Sequence, residues 1–329
     1  MRPIFILIAL DSATDLTAKL IDRVTSIRVT DAEGTESDTL EIELDDRHQI
    51  MQLPETGQRL RLMLGYAGGP VETMGDFVVD ELGLSGPPLS MTISAKGADL
   101  LGGIKAPKAK TEQPDSLGKL AETIADRHGF EADIHAEAFT HALPHIDQWG
   151  ESDMAVLGRM AGLFDMTMKL AAKTLTLRPH AARLALNTRE ILATDLTSYQ
   201  WRGRSRTKYT AVRASYYDPD KAARIPVTVG DGEAGPVLEL RHDARDAAEA
   251  ATLAQTRSRQ MARGTASLSL ELPGVPGLRA GDRLMLRGLN DPVGGTWVVE
   301  RITHRLDAKG YITSVECMPP DAKENNDEV

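Results

Sequence analysis

A single cysteine, Cys317, stands among 329 residues. No internal disulfide can form and no thiol cluster is available to a metal, a usage that suits folding in a reducing cytoplasm. Cys317 falls in a strand-like run and reads as a core residue. Aromatic side chains make up only 4% of the chain and are scattered, which leaves no obvious platform for stacking sugars. No apolar stretch approaches the roughly 20 residues of a membrane span. The run from Ile4 to Leu10 follows one basic residue, breaks at Asp11 and lacks a small-residue cleavage site, so neither a signal peptide nor membrane anchoring is expected. Positive charge is also short: a net charge of -10 and a pI near 5.4 repel nucleic acid and anionic membranes at long range.

The chemical motifs are missing as well. There is no Walker loop, no G-x-G-x-x-G after a strand, no G-x-S-x-G and no H-E-x-x-H, so no nucleotide, cofactor or protease site is expected. His135, His141 and His145 lie close together, as zinc ligands can. Pro144 keeps the last two off one helical face, and no cysteine or carboxylate pattern completes a site, so no metal is expected. A glycosidase would need two carboxylates across a cleft, and no spacing identifies such a pair; no catalytic residue is assigned.

What the chain does have is a repeat. Thr25 to Arg28, Gly57 to Leu62 and Gly75 to Glu81 are answered in order by Thr210 to Arg213, Gly281 to Leu286 and Gly295 to Arg301. Two similar β modules in one polypeptide point to symmetric assembly. The length allows two or three domains, each with its own core.

Residues 1–104 alternate apolar and polar side chains in short runs. Leu40, Ile42 and Leu44 face one way and Glu41, Glu43 and Asp45 the other; the period recurs at Leu60, Leu62, Leu64 and at Leu89, Met91, Ile93. A first β-barrel is predicted here. Residues 105–196 open with a basic linker, Lys105 to Lys110, and change to a helical period. Leu117, Leu120, Ala121, Ile124 and Ala125 share a face, Asp115 or Ser116 caps the start, and Gly129 ends the helix before a strand from Phe130 to His135. A second helix from Ser152 to Ala161 stops at Gly162 before a strand from Met166 to Leu170. This is an α+β middle domain.

From residue 197 to 320 the β pattern returns as a second barrel. Thr210 and Gly281 are more than twice as far apart as Thr25 and Gly57, so the second copy carries an insertion, about 219–263. Its helix, from about Asp243 to Ala262, shows a thin stripe of Ala247, Ala251, Ala254 and Met261, which calls for a close-packed neighbour, expected in the middle domain. The predicted class is mainly β (α+β): two similar β-barrel domains, a helix-strand domain between them and a helical insertion in the second. Residues 321–329 read as a disordered tail.

Arg202, Arg204, Arg206 and Lys208 fall on one face of an extended run beside Trp201. A phosphate-contacting face and a solvated face are both open readings. A third sets this basic stripe against the acidic one, Glu41, Glu43 and Asp45, at a contact between subunits, where complementary charge fixes register.

His145 to Gln148, then Glu151-Ser-Asp153, Leu157 and Arg159, resemble the Q-x-x-E-S-D-x-x-x-L-x-R stretch of phage tail hub proteins. The family is that of late control protein D of contractile-tailed phages, related to the hub region of VgrG spike proteins of type VI secretion. Leu40 to Asp46 and Gly75 to Glu81 look like its first barrel. The resemblance implies a structural baseplate hub, a homotrimer that adapts the hexameric tail tube to a trimeric spike. It implies a place in the virion tail baseplate and assembly in the bacterial host cytoplasm. Partners would be the spike, the tube ring and baseplate wedge proteins, with DNA passing through an acidic lumen without specific binding. Needle-like repeats do not follow the second module, so the spike is expected to be a separate protein. The alternative is a tail-associated cell-wall hydrolase. Glu151-Ser-Asp153 sits at a helix start, where it reads as a folding element.

Overall fold

The computed structural model describes residues 2–34, 37–49, 53–97, 103–143, 145–171, 173–180, 188–203, 209–241 and 243–320. The first module holds β1 (Pro3–Ala9), β2 (Thr14–Asp15), the helical turn α1 (Thr17–Leu20), β3 (Val24–Ala32), β4 (Thr39–Asp45), β5 (Arg59–Tyr66), β6 (Val71–Ser85) and β7 (Ser90–Gly97). The alternation has its physical result: Leu40, Ile42, Leu44, Leu60, Leu62, Leu64, Met91 and Ile93 are buried in one core. Leu89 is half-exposed, because it falls in the turn before β7.

The middle region is built from β8 (Pro107–Glu112), α2 (Leu117–His128), β9 (Glu131–Ile134), β10 (Ile146–Ser152), α3 (Asp153–Leu163), β11 (Met166–Ala171) and β12 (Thr174–Pro179). Ser116 Oγ caps α2 by accepting from Lys119 N at 3.3 Å, and Gly129 ends it at φ 70°. The five predicted apolar residues of α2 are all buried with Val156, Leu157 and Met160 of α3. The stretch Lys105 to Lys110 departs from the sequence reading. It is no linker: from Pro107 it is the strand β8, hydrogen-bonded to β10.

The second module comprises β13 (Thr188–Leu192), β14 (Ser198–Gly203), β15 (Ala211–Asp218), β16 (Ala223–Gly230), β17 (Val237–Glu239), α4 (Ala247–Arg263), β18 (Ala266–Pro273), β19 (Arg283–Arg287), β20 (Gly295–Asp307) and β21 (Gly310–Met318). The strands run β3-β4-β7-β6-β5-β1 in the first module and β14-β18-β21-β20-β19-β13 in the second. The order is the same, and so are local details. Gly57 N donates to Val79 O at 2.7 Å where Gly281 N donates to Val299 O at 2.8 Å. The β6–β7 ladder slips between Val79 and Glu81, the β20–β21 ladder between Val299 and Arg301. A bulge at matching positions bends both long strands.

Two expectations need correcting. The described strands of the two modules, β15 to β17 apart, form one continuous 13-stranded sheet and no closed barrel. The reason lies in β20, which runs past β19 and pairs its outer half, Arg301–Asp307, with β3. That junction uses the edge a closed first barrel would need, and it delivers Leu306 and Tyr311 to the first core. Thr210 to Arg213 is also not the counterpart of Thr25 to Arg28. Pairing with β4 and β18 makes β14 the counterpart of β3, since Val29 faces Leu40 as Trp201 faces Leu268.

Thr210 to Arg213 instead leads into β15, the centre of a separate sheet ordered β16-β15-β17. The apolar face of α4 covers that sheet through Ala250, Ala254, Leu253 and Met261, so of the expected stripe Ala254 and Met261 pack within the insertion instead of on the middle domain, while Ala247 is exposed. Contact with the middle region is polar: Arg263 pairs with the buried Asp165, and Gln260 Nε2 donates to Gly162 O at 2.9 Å. Cys317 is buried in the second core, as its strand position suggested.

Candidate assembly interface

A strand edge is a row of unpaired N–H and C=O groups, a ready template for another strand. β14 is such an edge. One side bonds β18, and its other side has no strand partner among the described residues. All six of its residues are exposed, including Tyr199 at 50% and Trp201 at 37%. Their counterparts in β3, Ile27 and Val29, are 0% and 2% exposed. A second edge, free among the described residues, lies on β6: Val71–Val78 pairs with β5, whereas Glu81–Ser85 pairs with β7 alone. There Leu84 is 64% exposed, although its counterpart His304 is fully buried.

These residues were missed in the sequence because the repeat was aligned on Thr210. With Ser198–Gly203 set against Ser26–Asp31, the pair Tyr199 and Trp201 falls on Ile27 and Val29, and its exposure stands out.

The charged candidates divide. Arg202 lies on the β14 edge, its guanidinium 3.1 Å from Gln200 Oε1. Arg204, Arg206 and Lys208 lie outside the described residues. Glu41, Glu43 and Asp45 are on β4, an interior strand with β3 on one side and β7 on the other. Glu41 is 3.9 Å from Arg28, and Asp45 accepts from Arg47 Nε at 2.7 Å, which helps hold the Asp45 carboxyl down at about 2. Arg202 therefore lies on an edge strand and the three acids on an interior one.

The side chains from Gln148 to Arg159 take part in a compact electrostatic knot. Ser152 Oγ caps α3 by accepting from Ala155 N at 3.1 Å, and Glu151 pairs with Arg159 at 2.7 Å. Asp153 is fully buried. Its carboxylate lies 2.5 Å from Lys108 Nζ, 2.8 Å from His128 Nε2, 2.9 Å from Arg127 Nη1, and 3.1 Å from both Lys110 Nζ and Gln148 Nε2. Burial alone would raise its pKa; the donors from Lys108, His128, Arg127 and Lys110 outweigh that and hold it well below the carboxylate range. A carboxylate saturated by donors has no lone pair left to move a proton. The knot fastens the β8–β10 ribbon to α2 and α3.

A cleft of about 680 Å³ separates the first module from the middle region and includes Asp31, Asp38, Arg61, Lys169 and Arg279. Lys169 of β11 pairs with the buried Asp31 of β3, which also accepts from Ala280 N at 3.1 Å. Burial raises Asp38 to about 6, with Lys169 opposing and Asp31 reinforcing the shift.

The three histidines do not converge. His135 Nδ1 accepts from Glu137 N at 3.2 Å, the His141 ring stacks on Phe164 at 4.5 Å, and His145 contacts Asp147 at 3.0 Å. Among the described residues no group of three or more His, Cys, Asp or Glu side chains is arranged to hold a metal.

A continuous sheet that leaves strand edges free among the described residues has the features of a part built to join other strands. Residues 113–310 match the family model described as phage tail baseplate hub (GPD). The chain belongs to that family, a structural part of the tail baseplate and not an enzyme. Two relatives, the probable baseplate hub proteins of Escherichia phages 186 and P2, are 29% and 27% identical; the matches cover 93% and 94% of this chain and 90% and 92% of theirs. The fold resembles the 43 kDa tail protein of prophage MuSo2 from Shewanella oneidensis, with a TM-score of 0.72 and 16% identity over 96% of this chain and 100% of that one. It also resembles a chain of the Francisella PdpA-VgrG complex, with a TM-score of 0.56 and 6% identity over 100% of this chain and 59% of that one.

Proposed function

We propose that this hub acts as a homotrimer that adapts the hexameric tail tube to a trimeric spike. The observation that carries the reading is the strand order found twice in one sheet, down to the same bulge and the same glycine turn. Three chains with two such modules each place six similar units around an axis, a face that fits a sixfold tube ring. Only the second module carries β15 to α4, so the insertion keeps the other face threefold, as a trimeric spike requires. The modules of residues 1–104 and 197–320 make the ring in this reading, and residues 105–196 brace it.

The spike is a separate protein, baseplate wedge proteins hold the hub from outside, and DNA crosses the lumen without specific binding because the chain is acidic. The site of assembly is the host cytoplasm. Arg202 and the acids Glu41, Glu43 and Asp45 are candidates for contacts between subunits. Native mass spectrometry of the full chain, alone and with its spike, tests the reading. A trimer is expected in at least the spike-bound sample, and a monomer in both would overturn it. Peptidoglycan incubated with the protein is expected to stay intact; clear hydrolysis would favour a cell-wall hydrolase.

A further inference from the structure

The repeat contains a template for its own subunit contact, and we infer from it that β14 of one copy pairs with the outer half of β6 in the next copy. The inference rests on the trimeric reading. Within the chain, the outer half of β20 beyond its bulge is paired to β3. β6 is the counterpart of β20, and β14 the counterpart of β3. The chain thus holds one filled junction and two unfilled halves of the same junction. The two halves lie far apart in the strand order, so a second copy must supply the partner. A head-to-tail contact of this kind closes into a ring when its rotation allows.

Side-chain exposure supports the match. The filled junction buries Ile27 and Val29 on one strand and Ile302 and His304 on the other. The free halves show Tyr199 and Trp201 on one strand and the half-buried Leu82 and exposed Leu84 on the other. The residues left uncovered are those that the filled junction covers. Main-chain bonding from an added strand supplies affinity, and an aromatic anchor at its centre supplies most of the side-chain energy.

The filled junction also sets the register. His304 faces Val29 and Ile302 faces Asp31, so Leu84 faces Trp201 and Leu82 faces Gly203 across the subunits. Arg202 then stands opposite Gly83 and diagonal to Glu81, which brings opposite charges together on the outer face.

Cysteine cross-linking of the full chain tests this pairing. Leu84→Cys combined with Trp201→Cys should form disulfides under mild oxidation and give covalent trimers on a non-reducing gel. Leu84→Cys combined with Arg202→Cys, which points to the opposite face, should not. Circular dichroism checks that both variants fold, and native mass is recorded on the same samples. A trimeric mass with no cross-link, or with equal linking in both variants, would overturn the pairing and leave the trimer standing. A monomeric mass with no cross-link, both for the chain alone and with its spike, would overturn both. In a separate arm, Leu84→Arg should turn trimer into monomer without loss of circular dichroism; an unchanged mass would sink the inference.

Discussion

Lys108 Nζ reaches the fully buried carboxylate of Asp153 at 2.5 Å from across the β8–β10 ribbon. The contact spans 45 residues of sequence and depends on β8 being a strand. Removing one member of such a network leaves the others buried without compensation, which costs on the order of 3–5 kcal/mol. Asp153→Asn, similar in size but uncharged, should therefore lower the urea midpoint strongly with little change in slope. A loss under about 1 kcal/mol would show that the cations relax to solvent.

The same carboxylate predicts an acid transition. Its folded pKa lies below the unfolded value of about 3.9. Its contribution is complete above that value and is lost as pH falls below it toward the folded pKa. In the Asp153→Asn protein, stability should change less over that acidic window than in the native chain. Equal slopes in urea titrations would show that Asp153 is not the group responsible.

His304 governs a different window. Its ring sits at the β20–β3 junction, with Nδ1 2.9 Å from the Tyr311 hydroxyl and Nε2 3.3 Å from Leu278 O. A carbonyl only accepts, so Nε2 carries the proton and Nδ1 accepts from Tyr311. Burial, helped by the charge of Arg279, pushes the imidazole down to about 4. The unfolded ring titrates near 6.5, so full stability is present above that value and declines as pH falls toward 4. The decline amounts to about 3 kcal/mol. His304→Gln should start less stable at neutral pH and show a flatter profile between about pH 6.5 and 5. A slope equal to the native one would assign the effect to another group.

Arg263 and Asp165 tie the insertion to the middle region. Their side chains are 10% and 4% exposed, and Arg263 Nη1 donates to Asp165 Oδ2 at 3.0 Å. The apolar face of α4 is engaged with its own small sheet, so this polar contact does the docking. Arg263→Ala should leave α4 folded while amide exchange rises first along α4 and around Asp165. Unchanged protection would mean that other contacts hold the insertion in place.

What could be read directly from the sequence was local. The alternation in β4 and β5 and the apolar face of α2 each follow from a repeat period, because burial of one face imposes that period. A period says which face is buried and nothing about which strand lies at the edge. The junction of β20 with β3 joins residues about 270 positions apart, so no local pattern announces it. Lys105 to Lys110 looked like a linker for a related reason: Lys108 and Lys110 point at a buried carboxylate, Asp153, that lies 45 residues beyond Lys108 in the sequence. The four residues Thr210 to Arg213 were too short to register the repeat, whereas glycines at conformations closed to other residues were reliable markers.

Those glycines carry the last prediction. Gly57 and Gly281 adopt φ of 91° and 93° at equivalent turns, where a side chain is strained. An added Cβ at Gly57 meets no atom within 4 Å, so the cost of Gly57→Ala is backbone strain alone, about 1 kcal/mol. Gly281→Ala should cost a similar amount, because the two turns share their hydrogen bonds to Val79 and Val299. Gly162→Ala supplies the opposite sign. It lies inside α3 with open space around it, and alanine there should stabilise the helix by about 0.5–1 kcal/mol. Denaturation of the three single variants checks the set. Losses at Gly57 and Gly281 differing by more than about 1 kcal/mol would mean that the two modules share an outline and not the same local strain.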